Sequence, residues 1–150
     1  MTKSKEDLLR ERRMFADLML YEWQQVENQT IDAIMEILKV SDIRIRHILQ
    51  KTGFEHKLQF LKAEGLLDKE DLKTMLNFQS YRNRLFHGRE YYFTLNEEEQ
   101  DKIMDNAIQA GNVLLDRVWG SINKRNKGRR IPKSLRQDDS SLDTPAGTLQ

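Results

Sequence analysis

Apolar residues recur along this chain at steps of three and four, and nowhere do they settle into a sustained two-residue alternation. The first spacing lines one face of a helix; the second would mark a half-buried strand. The hairpin dipeptides Asn-Gly, Asp-Gly and Gly-Gly are missing too. The expected fold is therefore all-α. A first helix starts near Ser4, where Glu6 and Asp7 suit a helix N-terminus. Leu8, Leu9, Phe15, Leu18, Met19, Tyr21, Trp23 and Val26 give it a broad apolar face. It runs on, or restarts at Thr30, through Ile31, Ile34, Met35, Ile37 and Leu38. A shorter segment follows over 41–51, then another carrying Phe54, Leu58 and Leu61 that Gly65 stops, with Leu66 supplying a capping contact. Asp68, with Asp71 three residues on, opens a helix that reaches about Phe86. Thr94 or Asn96 caps the last one, with Glu97, Glu98 and Glu99 in its first turn and Ile103, Ala107, Leu114, Val118 and Ile122 along its buried stripe. Short connections between amphipathic helices imply a four- to five-helix up-down bundle.

The chain has 150 residues, enough for one domain with a real core and cramped for two. No apolar run approaches the roughly 20 residues of a membrane span, and the opening residues form no apolar signal core. Cysteine is absent, which excludes disulfides, thiolate nucleophiles and Cys-based zinc sites and fits a cytoplasmic location. No His-x-x-x-His or Glu-x-x-His spacing offers a metal site, and no cofactor is expected. Net charge is only +1, but it is unevenly spread. Lys124, Arg125, Lys127, Arg129, Arg130, Lys133 and Arg136 follow one another with no acid between. Beyond them the chain is polar, with Pro145 and few large apolar residues. The expected division is a helical body over 4–123 and a basic, then polar, tail over 124–150 that cannot bury enough apolar surface to order itself.

One stretch carries chemistry: Arg82-Asn83-Arg84-Leu85-Phe86-His87, followed by Gly88. Arginine is a permanent planar cation matched to phosphate oxygens. Histidine can give or take a proton near neutral pH. Asn83 and His87 are four apart and share a helix face. Arg82 and His87 are five apart, roughly 140° around an ideal helix. Either the helix ends at His87, which Gly88 permits, or the site is shared across a two-fold axis. Cutting a phosphodiester with its own 2′-hydroxyl needs a base, an acid and a cation at the non-bridging oxygens. Two histidines, one from each subunit, would supply the first two.

This motif, ahead of the last long helix, resembles the HEPN domain superfamily. The likeness rests on Arg82, Asn83 and His87 and covers the helical body more loosely. It implies a metal-independent endoribonuclease, dimeric, of the kind found in toxin–antitoxin, phage-defence and RNA-processing systems, with RNA as substrate and an antitoxin or regulatory protein as a further partner. By position, Arg82 would contact the scissile phosphate, Asn83 would orient it and His87 would transfer protons. Arg84, Arg89, Lys124, Arg125, Lys127, Arg129 and Arg130 are the nucleic-acid-binding candidates. In one branch of the superfamily a tyrosine stands two residues after the histidine; here it is Arg89.

A second reading keeps the fold without catalysis, as a helical module that binds RNA or protein. Gly88, Tyr92, Phe93, Thr94 and the acids at Glu97 to Glu99 are similar to a run in the mannitol operon repressor family. Trp23 and Trp119 read as core or interface aromatics, and His47 and His56 as surface or capping residues.

Overall fold

Ser4 starts the first helix as its position suggests: its Oγ accepts a hydrogen bond from the Asp7 N–H at 3.1 Å. The helix, α1 (Lys5–Leu38), runs unbroken for 34 residues, about 50 Å at 1.5 Å per residue. Its buried stripe is Ala16, Met19, Trp23, Val26, Thr30 and Ala33, alternating steps of three and four as in a coiled-coil seam. Thr30 fits that stripe because its hydroxyl donates back to the Val26 carbonyl at 2.7 Å. This is why the chain does not restart at Thr30. The apolar face is narrower than expected: Leu18 and Tyr21, like Met14, face solvent, off the seam by one or two residues.

The computed structural model describes residues 2–87 and 95–128. After α1 come α2 (Ile43–Lys51), α3 (Phe54–Ala63), α4 (Lys69–His87) and α5 (Glu97–Ile108), which passes through a π-helical stretch, Gln109–Leu115, into α6 (Asp116–Gly128). Asp42 caps α2 by accepting from the Arg44 N–H at 2.8 Å. Asn96 caps α5, its Oδ1 accepting from the Glu99 N–H at 2.8 Å; Thr94 lies outside the described residues.

Directions alternate, as an up-down bundle requires. Trp23 on α1 meets Phe54 at the start of α3 and Phe78 on α4, and Glu64 at the end of α3 meets Arg125 on α6. The turn between α3 and α4 is built from local chemistry. Gly65 takes φ +77°. Its N–H donates to the Lys62 carbonyl at 2.9 Å and that of Leu66 to the Leu61 carbonyl at 3.0 Å, the two bonds of a Schellman cap. Leu61 and Leu66 are both buried, which supplies the matching apolar contact. Asp68 and Asp71 then bond reciprocally, each carboxylate accepting the other's backbone N–H, at 2.9 and 2.8 Å. The Asp71 N–H, more than any other group, holds the Asp68 carboxyl below its usual range. Arg117 on α6 also donates to Asp71, tying the start of α4 to the last helix.

The last helix runs to Gly128, past the boundary expected near Asn123. Two side chains hold the extra turn down. Arg125 donates to Oε1 of Glu64 at 3.1 Å and to the Glu64 carbonyl. Asn126 accepts from Lys39 Nζ at 2.9 Å. The basic composition therefore begins inside the fold rather than after it. Residues 129–150, including Arg129, Arg130, Lys133 and Arg136, lie outside the described residues.

Lys57 is the one charged side chain among the largest fully buried groups, 1% exposed. Its Nζ donates to the Leu49 carbonyl in the last turn of α2 at 2.9 Å, where a cation suits the helix dipole. Burial pushes its pKa below the ordinary lysine value, with Glu27 opposing.

Candidate functional site on helix α4

The buried stripe of α4 contains Leu72, Met75, Phe78 and Leu85. Continuing the three-and-four spacing from Phe78 to Leu85 passes through position 82. Arg82 therefore occupies a core register. It is half-buried, with its guanidinium carbon 5.7 Å from the centre of the Trp23 ring and 5.2 Å from that of Phe86. Both are cation–π distances. Its Nη1 donates to Oδ1 of Asn83 at 2.9 Å, while its buried Nε–H finds no acceptor among the described residues.

The other flank of the helix is polar. Leu76, Gln79, Ser80, Asn83, Arg84 and His87 line an open groove of about 520 Å³. Asn83, Arg84 and His87 are exposed there. Arg84 is steadied from its own helix, by a hydrogen bond to Ser80 Oγ at 3.3 Å and by the Tyr81 ring 5.2 Å away. So the structure brings Asn83, Arg84 and His87 onto one groove and turns Arg82 away from it, as the angular mismatch requires. The helix stays regular to His87, its last described residue.

Phe86 links the two flanks. Its ring takes the Arg82 guanidinium at 5.2 Å and meets the His87 ring edge-on, centroids 4.8 Å apart. Sequence reasoning treats Phe86 as spacer. The signal is nonetheless present: a residue four after Arg82 and next to His87 touches both.

The remaining candidates are not gathered here. Lys124 and Lys127 are exposed on α6, near the end of α1 that Lys39 and Asn126 join. Arg125 is committed to Glu64. Arg89 and Gly88 lie outside the described residues. A second cleft, about 590 Å³, opens where α1 meets α2, with Trp119 in its wall. Its charges are matched internally, Arg46 to Asp32 at 2.5 Å and Lys39 to Glu36 at 2.8 Å. Trp23, by contrast, is core, and His47 and His56 are exposed. Among the described residues no cluster of three or more His, Cys, Asp or Glu side chains could hold a metal ion, and no helix is long and apolar enough to cross a membrane.

No protein-family model matches this chain, and neither a curated protein nor a solved structure shows significant similarity to it.

Proposed function

We propose that this chain is a metal-independent endoribonuclease of HEPN type that works as a homodimer. The observation that carries the reading is Arg82. A cation in a core register, with a buried N–H that finds no described partner, costs stability relative to an apolar side chain, by about 1–3 kcal/mol for the unmade hydrogen bond. Departures of this kind concentrate at functional sites. Here the departure sits one residue from an amide it orients and one aromatic ring away from a histidine.

The chemistry follows from the groups. One His87 takes the proton of a ribose 2′-hydroxyl; the 2′-oxygen attacks the adjacent phosphorus, and the 5′-oxygen departs with a proton from the second His87, that of the other copy. Arg84 lies on the groove; Arg82, which the helix turns from the groove of its own copy, would serve across the two-fold axis, and together they oppose the charge that grows on the non-bridging oxygens. Each copy has a single histidine in this motif, which is why two copies are invoked. The products are a 2′,3′-cyclic phosphate and a 5′-hydroxyl. End analysis of RNA cut by the purified chain in excess chelator tests this; 3′-hydroxyl products, or cleavage that stops on chelation, would contradict it.

The alternative is a non-catalytic helical module with a binding or regulatory role toward RNA or a partner protein. It is favoured by the stacking of Arg82 on Trp23, a contact that gives the arginine a structural task of its own.

A further inference from the structure

We infer that Phe86 is a stacking platform for one unpaired nucleobase, so that the RNA taken by this site is single-stranded at the point of contact. The inference rests on the RNA-binding part of the reading above for its ligand class, and it adds a residue and a substrate form which that reading does not contain.

Phe86 lies at the surface end of α4, 59% exposed. The residue before it, Leu85, is buried and fixes the helix against the core, so Phe86 is held outward on rigid backbone rather than on a loop. One side of its ring is taken by the Arg82 guanidinium and its edge by the His87 ring. The rest is open. An exposed aromatic ring among cationic or protonatable groups is the arrangement by which proteins hold a base: the ring supplies the stacking face and the cations meet the phosphates on either side. Arg84 adds a further cation on the adjoining groove.

The geometry also orders the contacts along a strand. A base on Phe86 sits beside both groups packed on that ring, Arg82 and His87. Gln79 and Ser80 extend the groove from Asn83 by one more turn, in the direction a neighbouring nucleotide would follow. A duplex cannot use the ring, because its bases already stack on one another and their faces are not exposed.

The test uses an oligonucleotide that cannot be cut, a 2′-O-methyl RNA carrying one 2-aminopurine, so that binding is read apart from cleavage. With the full chain, the single strand is expected to bind with quenched 2-aminopurine fluorescence. Phe86→Trp keeps both affinity and quenching. Phe86→Leu, at a site outside the core, loses the quenching and weakens binding on the order of 10- to 100-fold. The same oligonucleotide annealed to its complement, already quenched by its own stacking, shows no further quenching when the protein is added. Equal added quenching with Phe86→Leu, or with the duplex, overturns the inference. So does a Phe86→Leu chain that elutes as a smaller oligomer than the unaltered chain while binding the strand as before, which would make Phe86 an interface residue. If the unaltered chain leaves ordinary RNA uncut while Phe86-dependent quenching persists, the nuclease reading fails and the stacking site stands. If RNA is cut at the same rate and the oligonucleotide bound equally well with Leu at position 86, the stacking site alone fails.

Discussion

Nη1 of Arg82 donates to Oδ1 of Asn83 at 2.9 Å, reaching from the core side of α4 to the residue that opens its polar groove. The bond holds the amide oxygen and joins two flanks that helical geometry separates. On the proposed reading it sets stability against function at one position.

Arg82→Met is expected to leave the melting temperature unchanged or raised, because an apolar chain of similar length fills the core register without a buried N–H. RNA cleavage should fall by about 100-fold or more through lost charge stabilisation. Thermal unfolding and single-turnover cleavage on the same preparation check both halves. A clear loss of stability with Met would make Arg82 a structural cation and favour the non-catalytic reading.

Lys57 gives a pH prediction with a definite sign. Its folded pKa lies below its unfolded value near 10.5, so just below that pH the unfolded chain holds a proton that the folded chain has released. Stability from this group therefore rises as pH climbs through the folded pKa toward 10.5, and the burial penalty is felt in full at lower pH. Lys57→Met removes the slope. It should be neutral to stabilising at pH 7, by up to about 1–4 kcal/mol, since the Leu49 carbonyl keeps the Thr52 N–H at 3.2 Å. Denaturant titrations at pH 7 and pH 10 should show the gap between the two chains closing at the higher pH; a gap that widens would contradict the account.

Two glycines separate backbone strain from helix propensity. Gly65, at φ +77°, has open space where an alanine methyl would sit, so any penalty for alanine comes from the left-handed backbone alone. Gly65→Ala should cost about 1–2 kcal/mol. Gly120, inside α6 and equally open, should gain about 0.5–1 kcal/mol as alanine. Urea midpoints moving in opposite directions are the expected outcome.

Lys124 and Lys127 are exposed near the end of α6 and do not line the α4 groove, so their effect on RNA should be electrostatic and remote. Replacing both with glutamine should leave the cleavage rate of a short oligonucleotide unchanged. The salt dependence of binding to long single-stranded RNA should flatten by about 0.7 for each phosphate that is no longer neutralised. An unchanged slope would show that these lysines do not track the backbone.

Much of the fold was legible because it is set by local chemistry. Ser4, Asp68 and Asn96 cap helices where short polar side chains precede acids, and Gly65 ends α3 where only a left-handed residue completes the turn. What escaped was tertiary. Leu18 and Tyr21 belong to a helix by period but miss its seam. Lys124 to Gly128 read as tail because their helix is held by Glu64 and Lys39, residues distant in sequence. The π-helical stretch has no composition signal: Ala110, Leu114 and Val118 sit four apart, a step that drifts around a regular α-helix, and the wider turn keeps Ala110, Leu114 and Leu115 on the core. At the candidate site the angle between Arg82 and His87 and the register of Arg82 followed from the period alone, whereas the packing of Arg82 on Trp23 required α1 to be in place.

On the proposed reading, His87 moves the proton. The most direct measurement is the single-turnover cleavage rate of a single-stranded RNA, in chelator, for the full chain and for His87→Ala. The account predicts a fall of about 100- to 10,000-fold, the span for loss of a general acid–base group, with folding intact because His87 is exposed at the end of its helix. Equal rates for the two chains would contradict it and leave the bundle as a binding module.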